Sequence, residues 1–428
     1  MLIFILGYLA ITIEHSIKLD KTVPALIMAT LCWGIIAFSN LEVFEINAHL
    51  KTLVPTNIHD LLLHHLGKTS EILIFLIGAM AIVEIVDTYK GFDIIKNAVT
   101  TTNKRKLLWI FSSIGFLLSA IIDNLTATII LVSLLKKIIS DKKERLYYIG
   151  MIIIAANAGG AWSPMGDITT TMLWISAKVS PIKLLNYVLI PSIICMLVPL
   201  SIASFLPVFR GNLKDKNPSL APLKNKKASM IMLYTGLGMI LFVPIFKTAT
   251  HLPPYMGMMF SLSIVLLVFE YLKSKEKGLE ENHQSLSIHH ALSKIELSSI
   301  LFFLGILLAV AALESMGKLF HLANWIHVVV PSKSLVVFIL GIFSAIIDNV
   351  PLVAASLGMF SEGIDDPLWH LIAYCAGTGG SMLIIGSAAG VAAMGMEKID
   401  FFWYIKRISI FAFLGYVIGF FSLLLIVN

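Results

Sequence analysis

Apolar runs of membrane-spanning length recur from the first residues of the chain to the last, and they leave few folds open. In hydrocarbon, every backbone N–H and C=O must be paired within its own helix or within a closed barrel. The runs 2–17, 22–39, 185–208, 229–246, 255–272 and 408–427 are predominantly apolar and approach the ~20 residues a helical span needs. The expected fold class is therefore an all-α polytopic membrane protein with about ten spans. Composition agrees, because 57% of the 428 residues are hydrophobic and 14% are charged, against about 25% charged in soluble domains. The net charge of +6 excludes no membrane fold and marks no nucleic-acid partner, since Lys and Arg gather in short loops between spans. The expected environment is the lipid bilayer. Cys32, Cys195 and Cys375 all fall in apolar runs without C-x-x-C spacing, so neither a bound metal nor a disulfide is expected. Met1–Ile17 lacks a basic leader and a small-residue cleavage site and reads as a retained first span.

Two longer runs break this pattern. The hexapeptide Ser-Ala-Ile-Ile-Asp-Asn occurs at 119–124, inside the run 107–139, and again at 344–349, inside 334–361. An aspartate at mid-membrane depth costs about 2.5–3.5 kcal/mol even on insertion scales. Downstream of each copy lies a glycine-rich break, Asn157-Ala-Gly-Gly160 in the run 146–176 and Gly377-Thr-Gly-Gly380 in the run 367–396. The first of these breaks also holds Pro164 and Gly166, which oppose a continuous helix. With the glycines aligned, Asp167 corresponds to Ser387 and Asn157 to Gly377.

Loop charge orders these pieces. Lys104–Lys106 precede the run 107–139, and Lys136, Lys137, Lys142, Lys143 and Arg145 follow it. Both clusters stay on one side only if the chain turns back at Asp123-Asn124, so a re-entrant hairpin opening inward is expected. Counting spans, the second hairpin opens outward, which gives an inverted-topology repeat. The expected organisation is N-terminal spans and an interfacial segment (1–70), repeat 1 (71–208), a linker region with two spans (209–295) and repeat 2 (296–428). Within 1–70, Ile58–Leu66 is expected as a short helix lying at the interface, with His59, His64 and His65 on or near its polar side and a separate span at 71–89. Both termini are expected outside.

Matched breaks in two halves are the strongest sequence pointer to a transport site. Asp123, Asp348 and Asp167 bring carboxylates to them, and no Lys or Arg lies within any break, so a cation is the expected cargo. The candidate cation- and proton-binding residues are Asp123, Asn124, Asp348, Asn349, Asn157, Asp167 and Thr169, with Na+ expected at Asp123, Asn124, Asp348 and Asn349. Ser119, Ser344, Thr126, Thr170, Glu84, Glu71 and His65 form a second rank; Glu71 and Glu296 begin their spans and read as interfacial. A buried carboxylate holds a metal ion or a proton in competition, which is the requirement for cation/proton exchange. For Asp123 and Asp348 the structural alternative is a helix cap at a hairpin tip, and Asp167 has the same alternative.

Several segments resemble the NhaD-type sodium/proton antiporters, of the wider superfamily that includes arsenite and dicarboxylate carriers. They are Leu-Leu-His-His-Leu-Gly (62–67), Ile-Gly-Ala-Met-Ala-Ile-Val-Glu-Ile-Val-Asp (77–87), Leu-Ser-Ala-Ile-Ile-Asp-Asn-Leu-Thr-Ala-Thr (118–128) and the block 155–174. The resemblance implies exchange of Na+ or Li+ for H+ without a cofactor, in a homodimer in which a transport domain moves against a scaffold. It also implies a role for Asp123, Asn124, Asn157, Asp167, Thr169, Asp348 and Asn349, and for His65, Glu71 and Glu84. A bacterial inner membrane is the expected location. Two alternatives stand beside this reading. An anion or metalloid carrier of the same superfamily predicts cationic or neutral polar residues at the breaks. An intramembrane aspartyl protease, the one enzyme class considered, needs Gly-x-Gly-Asp, which Pro164-Met-Gly-Asp167 does not match.

Overall fold

The computed structural model describes the chain apart from residues 13–18, 48–51, 95–100, 214–224, 277–287, 296, 320, 323–324, 326–329, 331, 347–348 and 428. Asp348 and Glu296, both singled out above, lie outside the described residues.

The first helices are α1 (Leu2–Thr12) and α2 (Thr22–Phe38), followed by an antiparallel hairpin of β1 (Val43–Asn47) and β2 (Thr52–Thr56) in which Val43 faces Thr56. Next comes α3 (Ile58–Thr88), one unbroken helix of 31 residues. It corrects the expectation of an interfacial helix followed by a separate span. Asn57 caps its first turn by accepting from His59 N at 2.7 Å. Its two glycines, Gly67 and Gly78, cost only about 1 kcal/mol each, which tertiary packing overrides. At 1.5 Å per residue α3 is about 46 Å long, so Glu71 sits well inside it and not at a span's start.

The first interrupted region is α4 (Lys104–Ile122), α5 (Asn124–Ile138), α6 (Lys142–Ala161) and α7 (Ile168–Ile175), leading to α8 (Pro181–Ala203). The middle of the chain supplies α9 (Lys226–Thr250), α10 (Pro254–Glu276), the single turn α11 (Ile288–Leu292) and α12 (Leu297–Ser315). The second interrupted region is α13 (Lys333–Phe343), α14 (Asn349–Met359), α15 (Pro367–Gly379) and α16 (Ala388–Glu397). The chain closes with α17 (Phe401–Tyr404), a π-turn at Ile405–Ser409 and α18 (Ile410–Val427). Among the described residues, seven helices are long and apolar enough to cross a membrane. This is an integral membrane protein of the all-α polytopic class.

Helix directions follow from side-chain contacts. Lys104 pairs with Glu144, Ser119 Oγ donates to Ala156 O at 2.6 Å, and a methyl on Gly159 would strike the Phe116 backbone. α4 and α6 therefore run parallel, and α5 returns between them. The second region repeats these contacts. Ser344 Oγ donates to Ala376 O at 3.0 Å, and a methyl on Gly379 would strike the Gly341 carbonyl. Gly160 meets Gly166 as Gly380 meets Gly386. Only glycine permits these backbone approaches, which is why the glycine pairs recur.

The two regions run in opposite directions. Arg145, at the start of α6, pairs with Glu397 at the end of α16 (2.7 Å). Past the end of α7, Ser180 N donates to Asp365 Oδ1 (2.7 Å), just before α15. The Arg145 end of the molecule also carries Lys104–Lys106, where Tyr148 Oη donates to Lys104 O, and Lys406 and Arg407, where Tyr147 packs on Trp403; Lys226 and Lys227 begin α9, whose other end reaches Trp174 O at the end of α7 through Lys247. The helices pack in two groups. α2, α3, α9, α10 and α12 form one; α4 to α8, α13, α15, α16 and α18 form the other, with α14 touching both.

Candidate ion-binding site

Each broken element ends in a cap. Asp123 takes φ +94°, ψ 156°, a left-handed conformation costly for any residue but glycine, and it interrupts the helix between α4 and α5. Its Oδ1 accepts from Thr126 N (2.7 Å) and its Oδ2 from Thr126 Oγ1 (2.9 Å), so it is the N-cap of α5. Asp167 is likewise the N-cap of α7, with Oδ1 accepting from Thr169 N and Thr169 Oγ1, both at 2.9 Å. At the matching position, Ser387 caps α16 through Gly390 N (3.2 Å). Capping is real at these positions, and it does not exhaust what the carboxylates touch.

Asp167 is buried (2% exposed) and gathers donors from both halves of the chain. Asn124 Nδ2 donates to its Oδ2 at 2.8 Å, and Asn349 Nδ2 reaches the same oxygen at 3.2 Å and Oδ1 at 3.4 Å. Asn124 Nδ2 also donates to Asn157 Oδ1 (2.9 Å), and Asn157 Nδ2 donates to Ser387 Oγ (3.0 Å). Amide and hydroxyl donors crowd the Asp167 carboxylate, an arrangement that fits the ionised form. Among the described residues the Oδ1 atoms of Asn124 and Asn349 accept no hydrogen bond, and both residues line one cavity.

That cavity lies between the two helix groups. Phe75, Leu76, Met80, Ile240, Met258 and Phe303 form its apolar wall; Asp123, Asn124, Thr126, Asp167, Thr171 and Asn349 form the polar one. Asp123 is half-buried and reaches it. Lys21, at the start of α2, also lines it. The breaks themselves hold no basic residue, yet the folded cavity does contain a fixed positive charge. More than a hundred residues separate Lys21 from the nearest break, so no local pattern announces it. Ser387 was within reach of the sequence, since the glycine alignment matches it to Asp167.

The other candidates have different surroundings. Ser119 and Ser344 tie neighbouring helices through Ala156 O and Ala376 O. Thr170 Oγ1 approaches three carbonyls around the break, those of Ser163 (2.7 Å), Asp167 (2.8 Å) and Gly160 (3.4 Å), the first two of which also accept from Gly166 N and Thr171 N. Glu71 faces Lys247 electrostatically from the interior of α3, and half-buried Glu84 lies near that helix's end, outside the cavity lining. His65 is not an exposed interfacial residue: it is buried, with Nε2 3.2 Å from Ser315 Oγ on α12. His59 and His64 are exposed. Among the described residues, no cluster of three His, Cys, Asp or Glu forms that could hold a metal ion.

A family model described as a citrate transporter (CitMHS) matches residues 8–369. The chain is 42% identical to sodium/proton antiporter 1 of Arabidopsis thaliana over 98% of this chain and 70% of that protein. It is 40% identical to sodium/proton antiporter 2 of the same plant, over 100% and 99% of the two chains. To the Na(+)/H(+) antiporter NhaD of Vibrio cholerae it is 30% identical, over 98% and 89%.

Proposed function

The chain belongs to the NhaD-type ion-transporter family, under the citrate-transporter family model, and we propose that it exchanges Na+ for H+ across a membrane. It is a transporter and not an enzyme. The observation that carries the cargo is the donor–acceptor balance at the crossing of the two interrupted regions. Asn124 and Asn349 turn their amide N–H groups to Asp167 and leave their Oδ1 atoms unused in the cavity that Asp123 also lines. Oxygen acceptors beside two carboxylates suit a hard monovalent cation, Na+ or Li+.

In this reading Asp167 stays ionised and anchors the two asparagines. Asp123, whose hydrogen bonds come from the first turn of its own helix, at Leu125 and Thr126, is the carboxylate that alternates between cation and proton, and Asp348 is its counterpart in the second repeat. The basic end of the molecule is cytoplasmic and both termini lie outside. The two interrupted regions re-enter from opposite faces as an inverted repeat. Alternating access then comes from one helix group moving against the other, which changes the end to which the shared cavity opens. A homodimer belongs to the same reading. Because the similar proteins come from a plant as well as from bacteria, the resemblance does not select a bacterial inner membrane.

The test is dissipation of a preformed ΔpH in everted vesicles from cells expressing the protein. Na+ and Li+ should each dissipate it, whereas K+, citrate and arsenite should not. A response confined to citrate or arsenite would replace this reading with an anion carrier.

A further inference from the structure

An exchanger has one requirement beyond a binding site: the empty site must not cross. If it did, Na+ would run down its gradient without moving a proton. In this protein the empty site has at least two carboxylates, Asp123 and Asp167, and faces an apolar wall of Phe75, Leu76, Met80, Met258 and Phe303. Lys21 lines that same cavity from the opposite helix group.

Several contacts fix Lys21 to its own group. It immediately precedes α2, which is tied to α12 by Thr22 Oγ1 donating to Ser298 O (3.0 Å) and Trp33 Nε1 donating to Leu308 O (2.9 Å). A methyl on Gly305 would strike the Ala25–Leu26 backbone, so the two helices touch main chain to main chain. The Lys21 ammonium sits 4.5 Å from the Phe302 ring centroid, a cation–π contact that restrains it at the cavity edge. Its neighbour Asp20 accepts from Thr22 N at 2.8 Å. Lys21 and Ser298 lie at the basic end of the molecule. α12 runs antiparallel to α3, its last residue Ser315 meeting His65 near the start of α3, while the far end of α3 leads to Tyr89, whose carbonyl accepts from Ser229 beside Lys226 and Lys227. The carboxylates, in contrast, belong to α5 and α7 in the other group.

We propose that Lys21 enforces coupling: its ammonium attracts the unloaded Asp123 and Asp167 carboxylates and holds the empty site at the basic end until a cation or proton neutralises it. The inference rests on the exchange reading and adds the residue that prevents leak. Opposite charges that line one low-dielectric cavity attract across it, beyond the pull of neighbouring Asp20 on Lys21, and loading the site with Na+ or H+ removes much of that attraction. Lys21 thus biases one state only, the empty one, which is the condition for shifting an equilibrium. It acts as a coupling residue and need not touch the transported ion.

The test uses the full-length protein in proteoliposomes, with radiosodium flux and internal pH recorded on the same preparation. The wild type should move protons against Na+ in a fixed ratio. In Lys21→Gln and Lys21→Met, Na+ efflux should continue without matching proton entry, lowering protons per Na+ by about half or more as empty carriers become free to cross. Lys21→Arg should keep the wild-type ratio. Should the neutral variants fail to fold, Lys21→Cys offers a second route. Coupling should return when the thiol is modified with an aminoethyl reagent and not when it is modified with a neutral methyl reagent. The natural Cys32, Cys195 and Cys375 are buried. A changed rate at an unchanged ratio would make Lys21 merely structural and overturn the proposal. A wild type that moves Na+ without protons, or moves none, would instead overturn the exchange reading, so the two failures are distinct.

Discussion

Replacing Asp167 by Asn tests the centre of the network with almost no change of shape. The carboxylate accepts from Thr169 N and Oγ1 on one oxygen and chiefly from Asn124 and Asn349 on the other. An amide has one acceptor. Whichever way it is turned, its NH2 faces donors, either the α7 cap or the two asparagines. Keeping the cap loses two hydrogen bonds to a charged group, at about 1.5–3 kcal/mol each, or about 3–6 kcal/mol together. Some of this relaxes away as Asn124 and Asn349 reorient, but reorientation turns their Oδ1 atoms out of the cavity. Half-saturation for Na+ should rise by about two orders of magnitude, and by up to four without relaxation, at about 1.4 kcal/mol per tenfold. The assay is Na+-dependent ΔpH dissipation in everted vesicles, with gel filtration of the purified variant as the folding control. A well-folded Asp167→Asn protein within about threefold of the wild-type half-saturation, a difference of about 0.6 kcal/mol, would refute the reasoning.

Other expectations are independent of that one. Asp123→Asn keeps the Oδ1 cap on α5, so the variant should insert and fold yet lose proton-coupled Na+ movement; coupled exchange at the wild-type rate would remove Asp123 from the proton path. Arg145 and Glu397 form a buried pair, with Arg145 also donating to Ile139 O at 2.6 Å. Glu397→Met alone should cost about 3–5 kcal/mol by stranding the buried Arg145 charge, Arg145→Met less because Lys136 stays 3.5 Å from Glu397, and the double variant should recover much of the loss. Thermal unfolding in detergent reads the order, and additive losses would show that the pair is uncoupled. Gly159→Ala and Gly379→Ala should each destabilise the protein strongly, because the new methyl meets the backbone of the neighbouring broken helix. Wild-type stability of either would mean that α4 and α6, or α13 and α15, separate readily. Thr170→Val should cost about 0.5–1.5 kcal/mol by removing one buried hydroxyl hydrogen bond, since Ser163 O and Asp167 O keep their backbone donors, while Na+ dependence survives; loss of Na+ response at unchanged stability would make Thr170 an ion ligand.

Legibility of the site varied with the kind of interaction. The breaks at 123 and 160–167 were visible because glycine, proline and Asp-Asn act on the few residues around them. Cap roles for Asp123 and Asp167 were readable for the same reason, as was the match of Asp167 with Ser387. The continuity of α3 through 58–88 was not, because histidines and Lys68 in its first half suggest an interface. Packing settles that question, burying His65 against Ser315 of α12, a residue remote in sequence. The 43–56 hairpin was also missed. Its strands have five residues each, and Pro55 sits inside the second.

An all-α membrane protein with two matched interruptions, and acids set unequally between them with Asp167 in one and Ser387 in the other, follows from the order of residues. Those are consequences of solvent and local backbone chemistry, which act on each segment alone. Packing of the helices is what lets Asp167 collect Asn124 and Asn349 from opposite halves, holds Asn157 against Ser387, and brings Lys21 to the same cavity. Hydrogen bonds and Coulomb forces depend on distance in space, and spacing along the chain carries no record of which remote helices cross.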